Sequence, residues 1–209
     1  MQKKMSKEHS PKEKAIYQAV MELFEEGADL NSLTVSEITG RAGIGKGTAY
    51  EYFSDKEEMI TKAIYYSTKE MCLRISERLK KEKSLYDKVN LMLVKMEQQV
   101  TETSCMMRMI HVMSDTSAIS RRLREMEKEQ EEEERPVVEL IKGILADESK
   151  EEKKPAPEKL FYLIMSILSK VLCYGILIRD DFYMSESGRE SMRDMICCGI
   201  CREVREMLP

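Results

Sequence analysis

Apolar positions recur along the chain at intervals of three and four residues, with little strict alternation, so the pattern predicts helices from one end to the other. Ile16, Ala19, Val20, Leu23 and Phe24 fall at i, i+3, i+4, i+7 and i+8 of a helix that begins at Pro11, where the ring is tolerated, and stops at Gly27. Residues 29–32 form a turn. Thr34, with Glu37 three residues on, then spells a capping box, in which a hydroxyl and a carboxylate each satisfy an orphan amide of a new helix. That helix must end near Ala42-Gly43, where Gly43 supplies the positive φ of a tight corner and the small Ala42 lets two helices cross closely. A second short helix follows from Gly45 to Tyr52, with Ile38, Ile44 and Phe53 as the small core beneath. Ser54, with Glu57 three on, repeats the capping signature. It opens a helix toward Lys81 with Met59, Ile60, Ala63, Ile64, Met71, Leu73, Ile75 and Leu79 on its buried side.

Beyond it, Leu85, Val89, Met92, Leu93, Met96 and Val100 mark a helix over about 84–103, and residues 105–113 a short apolar one. Ser117 caps a highly charged helix that runs toward Arg135, where Pro136 forces a kink or a fresh start. Val137, Val138, Leu140, Ile141, Ile144 and Leu145 resume a buried face, and residues 150–157 read as a charged, proline-bearing linker. Two closing helices are expected over about 158–179 and 186–207. The first, LFYLIMSILSKVLCYGILI, is apolar nearly all round and must be covered on more than one side. A second copy of the chain would cover it in an intersubunit four-helix bundle.

Composition agrees with an all-α chain: 209 residues, 42% apolar, 34% charged, no Trp, and few breakers at nine Gly and five Pro. The net charge of −4 excludes a general nucleic-acid coat, so any such binding must come from a local patch. The first 62 residues hold about nine Lys and Arg against about eleven Asp and Glu, but Arg41, Lys46 and Lys56 cluster around the second short helix. The arm from Met1 to Ser10 is Lys-rich and polar, without the apolar run of a signal peptide, and the charge spacing supports no membrane span. A cytoplasmic location is expected. There the six cysteines, which lack a staple-like spacing, stay reduced.

Lys46, Thr48, Tyr50 and Tyr52 offer one ammonium, one hydroxyl and two phenols from a single short helix, with Lys56 close behind. Such groups bond phosphate oxygens and base edges. At these residues the chain resembles a known family: T-V-x-x-I, A-G-I, G-x-x-Y-x-Y-F and x-x-K-E-E-M look like the amino-terminal domain of the TetR/AcrR transcriptional regulators. The likeness covers about a quarter of the chain. It implies an N-terminal three-helix DNA-binding domain with a helix-turn-helix over 1–54 and a larger helical effector-binding and dimerisation domain over 55–209. It further implies operator contacts at Thr34, Lys46, Gly47, Thr48, Tyr50, Tyr52 and Lys56. Thr39 departs from the family's small alanine by placing a bulkier side chain inside a close helix contact.

Seventeen methionines suggest a plastic, apolar effector pocket, for which Met92, Met96, Met109, His111, Met113 and Met165 are the candidates. Each is also an ordinary core filler. Cys197, Cys198 and Cys201 stand at helical spacing and could answer to a metal or an oxidant, but buried small hydrophobes explain them more simply. The acidic run from Glu125 to Glu134 reads as a wet helix face. With two histidines and no phosphate loop, nucleophile elbow or metal-binding pair, the chain is expected to be no enzyme and to need no cofactor or metal. The sequence thus points to a repressor that binds a pseudo-palindromic operator as a homodimer and is released by an apolar small molecule. The alternatives are a thiol- or metal-responsive regulator of the same fold, or a helical protein-interaction scaffold.

Overall fold

The computed structural model describes residues 9–98, 116–129, 135–145, 156–178 and 185–208. Every regular element among them is a helix: α1 (Pro11–Glu25), α2 (Val35–Ala42), α3 (Lys46–Tyr50), α4 (Lys56–Leu79), α5 (Leu85–Gln98), α6 (Ala118–Glu129), α7 (Pro136–Leu145), α8 (Pro157–Ile178) and α9 (Glu186–Met207). They fall into two compact units. The first holds residues 9–69 and 116–129; the second holds 70–98 and the described residues from 135 onward. The expected apolar segment over 105–113 lies outside the described residues.

In the first unit α1 packs on α2 and α3. Ser10, grouped by the sequence with the polar arm, is instead the cap of α1: its hydroxyl accepts from the Glu13 amide at 3.2 Å, and Glu13 accepts from the Ser10 amide at 2.8 Å. Ile16, Ala19, Val20 and Phe24 are buried as the period requires, joined by Tyr17, which stacks on Tyr66 and meets Phe53 edge-on. The Thr34–Glu37 box forms as expected, with the Thr34 amide donating to Glu37 at 2.8 Å and the Glu37 amide to the Thr34 hydroxyl at 3.2 Å. Gly43 closes α2 in the left-handed region at φ 68°, and the Ile44 amide turns back to the Thr39 carbonyl at 3.1 Å. Thr39 is buried without harm, because its hydroxyl donates to the Val35 carbonyl of its own helix at 2.7 Å.

The start of α4 differs from the sequence expectation by one residue. Asp55, not Ser54, is the cap, accepting from the Glu58 amide at 2.7 Å, while Ser54 donates both its amide and its hydroxyl to Glu58 rather than to Glu57. Helix α4 begins at Lys56, so the third helical position is Glu58 and only its carboxylate reaches back. Lys62 bridges Glu58 at 2.6 Å. Burial alone would raise the Glu58 carboxyl, but the hydrogen bonds from Lys62 and Ser54 outweigh it and bring it down to about 2. Met59, Ile60, Ala63 and Ile64 are buried as expected. Farther along, Leu73 is exposed and Cys72 and Leu79 are buried. Those two lie seven residues apart on one stripe, with the half-buried Ile75 between them, whereas Leu73 is rotated off it by about 100°.

The core of the second unit joins Leu85, Val89 and Leu93 of α5 to Ile141 and Ile144 of α7, Leu163, Ile167 and Tyr174 of α8, and Cys197, Ile200 and Val204 of α9. Pro136 opens α7, the fresh start its missing amide demands. Two polar features sit within this apolar mass. Lys88 is 3% exposed and its ammonium lies 3.5 Å from the Ile144 carbonyl, at the negative end of α7. Arg193 holds both Glu97 oxygens, at 2.5 and 2.7 Å, and the buried Tyr174 hydroxyl donates to the same carboxylate.

Gly43→Ala should destabilise the chain by about 1 kcal/mol, since a Cβ in the left-handed region is strained. Gly40→Ala, inside α2 with open space around the new methyl, should stabilise it by roughly 0.5–1 kcal/mol. Urea unfolding of both variants measures the contrast. Because the folded Glu58 carboxyl is depressed below its ordinary 4.5, its stabilisation is complete above that pH and disappears as pH falls toward about 2. Glu58→Gln should therefore cost on the order of 2 kcal/mol at pH 7. The gap should close near pH 2 in unfolding curves taken across that range.

Candidate nucleic-acid interface

Helix α3 has two faces set by its period. Ala49 (0% exposed) and Phe53 (2%) point into the first unit, and residues 46, 47 and 50 therefore turn to solvent. Lys46 and Gly47 are exposed, Tyr50 is 52% exposed, and Thr48 and Tyr52 are half-buried at the edges. A Cβ built at Gly47 meets nothing within 4 Å, so the backbone itself is open to an approaching surface. Of the three core residues expected beneath, Ile38 and Phe53 are buried and Ile44 only half so.

The flanking residues are more committed. Thr34 is exposed, but its hydroxyl donates to Glu37 at 2.7 Å, and that bond holds the Glu37 carboxyl below its usual range. Lys56 donates to the Asn31 carbonyl at 2.9 Å, pinning the turn before α2 to the start of α4. An ammonium has three donors, so two remain for other acceptors. Arg41 is not available in the way its sequence position suggests. It clamps both Glu26 oxygens at 2.7 Å and lies 3.5 Å from Glu22, which ties α2 to α1. Spacing along the chain could not show this, because Glu26 stands fifteen residues away.

In the second unit, Met92 and Met96 are partly buried against the core, and Met165 is 48% exposed on α8. Met109, His111 and Met113 lie outside the described residues. A cavity of about 560 Å3 opens where α5 and α8 end and α9 begins. Its lining is polar, with Glu97, Glu186, Arg189, Glu190 and Arg193 around Ile178. Cys197 and Cys201 are buried, and burial, followed by the neighbouring thiols, pushes the Cys197 thiol up to about 12, which keeps it protonated and poorly nucleophilic. No cluster fit to hold a metal ion occurs among the described residues. Helix α8 is long and apolar enough to cross a membrane by length and composition, yet Leu163, Ile167, Val171 and Tyr174 sit inside the second unit's core. Its other side leaves Phe161 (64%), Tyr162 (53%) and Ile176 (51%) exposed, and Met195 of α9 is exposed as well (57%).

Comparison with known proteins meets this geometry where α1 to α4 stand. Residues 16–63 match the profile of the bacterial regulatory proteins of the tetR family. None of the curated proteins matches the sequence. Among solved structures, the chain resembles the transcriptional regulator FadR from Bacillus subtilis in complex with stearoyl-CoA. The identity is 16%, with 90% of this chain and 96% of that one covered, at a TM-score of 0.60. The fatty acid degradation regulator FadR from Bacillus halodurans aligns at 14% identity over 97% of both chains, TM-score 0.58. NalD, the secondary repressor of the MexAB-OprM multidrug efflux pump in Pseudomonas aeruginosa, aligns at 18% identity over 92% and 94%, TM-score 0.52. At such identities these likenesses establish the fold, and the amino-terminal match shows that residues 16–63, from within α1 into α4, are similar to the tetR-family regulatory proteins.

Proposed function

We propose that the chain is a homodimeric, ligand-responsive repressor whose α3 enters the major groove of a pseudo-palindromic operator. The observation that carries this is the division of α3, with Ala49 anchored inward and Phe53 buried just past its end while Lys46, Gly47 and Tyr50 face out. We assign the operator contacts to Thr34, Lys46, Gly47, Thr48, Tyr50, Tyr52 and Lys56. The ammoniums neutralise phosphates, the hydroxyls and phenols bond phosphate oxygens or base edges, and Gly47 lets the backbone come close. Residues 1–54 form the DNA-binding domain in this reading and 55–209 the effector and dimerisation domain.

The outer face of α8 supports a second copy as its cover. Phe161, Tyr162, Met165 and Ile176 fall on one side of α8 by helical period, an exposed apolar strip that an identical strip can meet about a two-fold axis. The two copies of α3 must then stand roughly 34–36 Å apart to meet successive major-groove faces. An effector that favours any other spacing releases the operator, by no more than its preference for the released state. Met92 and Met96, with Met109, His111 and Met113, remain the effector candidates, while Met165 belongs by its exposure to the subunit interface. Stearoyl-CoA, found with the Bacillus subtilis FadR, is the first compound to try.

Selection from random duplexes should yield an enriched inverted repeat. Against it, Lys46→Ala should lower affinity about tenfold and reduce the salt slope by about one. Tyr50→Ala should weaken binding without changing the slope, and footprints identical to the parent's for both variants would overturn the assignment. Phe161→Glu combined with Met165→Glu should convert a dimeric mass to a monomeric one in light scattering, with operator affinity falling more than about tenfold. A persisting dimer would place the interface elsewhere.

A further inference from the structure

Helix α6 belongs to a different unit from the described chain on either side of it. Residues 70–98 before it and those from 135 after it lie in the second unit, while 116–129 pack in the first. The chain therefore delivers one helix to the first unit and returns. Ile119, Ser120 and Leu123 bury its inner face. From the same helix Arg122 directs one guanidinium nitrogen to both oxygens of Asp55, at 2.7 and 2.9 Å. Asp55 is no ordinary surface acid, since one of those oxygens also receives the Glu58 amide and so caps α4. Its neighbour is Lys56, and Phe53, two residues back, is the buried anchor behind α3.

We propose that Arg122 is a positioning residue for operator binding: by gripping Asp55 it fixes the corner between α3 and α4, and with it where Lys46, Tyr50 and Lys56 meet the duplex. The inference rests on the regulator reading above. The pair is about 35–42% exposed, so it adds little to overall stability, and its consequence is the direction in which α4 leaves the corner.

The test uses the full chain and its selected duplex. Arg122→Ala and Asp55→Asn should each lower affinity about five- to twentyfold, with the double variant no weaker than either alone. The salt slope should stay as in the parent, while Lys56→Ala lowers it by about one. Arg122→Lys should recover part of the loss. Asn still caps a helix, so Asp55→Asn keeps the fold if Arg122→Ala does not. Three results would overturn the proposal: Asp55→Asn binding as well as or better than the parent, which would make Arg122 a mere mask for a charge; a slope reduced by one in Arg122→Ala, which would make it a phosphate ligand; or parent-like binding by both. Amide hydrogen exchange over residues 50–60 provides a readout without DNA. It should quicken severalfold in both variants, and unchanged exchange also counts against the grip. A parent that enriches no duplex defeats the regulator reading alone, and the exchange result still judges the contact.

Discussion

The surface offered by α3 depends on a backbone turn that a residue with a side chain adopts only under strain. Gly43, at φ 68°, reverses the chain within two residues, so that Ile38 of α2 and Ala49 of α3 can both be buried in one small core. Were the corner wider, Ala49 and Phe53 could not both face inward, and the face bearing Lys46 and Tyr50 would lose its fixed direction. Caps at three helix starts then hold the unit at its edges. Ser10, Thr34 and Asp55 each satisfy amides that a short helix leaves open. A five-residue helix such as α3 has little stability of its own. It persists because its neighbours are capped, cornered and packed against α1.

Charge in this unit is used mainly for assembly. Arg41 locks α2 to α1 through Glu26, Lys62 and Ser54 fix the start of α4 through Glu58, and Arg122 brings α6 to Asp55. Each pairing removes a carboxylate from the field that an approaching phosphate feels. The chain is acidic overall, yet the exposed face of α3 carries Lys46, while Glu26, Glu58 and Asp55 of this unit are paired with Arg41, Lys62 and Arg122. That is how an acidic protein can present a local surface compatible with DNA.

The second unit follows a different logic. Its core is apolar across α5, α7, α8 and α9, but Glu97, Arg193 and Tyr174 form a polar knot within it, beside the cavity where three helix ends meet. The Arg193–Glu97 pair is about one-fifth exposed, but the Tyr174 hydroxyl it meets is fully buried, so losing the carboxylate would strand that phenol and the knot fixes which helix faces meet. Helix α8 contributes to this core on one side and exposes Phe161, Tyr162 and Ile176 on the other.

Helix periods, the Thr34 cap, the Gly43 corner, the restart at Pro136 and the bounds of α9 were legible in the sequence, because each is set by residues within four positions of one another. The inward turn of Phe53 and the outward turn of Lys46 and Tyr50 follow from the same local period. Choices that turn on partners far along the chain were not legible. The engagement of Arg41 by Glu26 and of Arg122 by Asp55 and the burial of Lys88 against α7 were all decided by tertiary packing. A local pattern states which face of a helix is apolar; only the folded chain decides what that face meets and which charges are already taken.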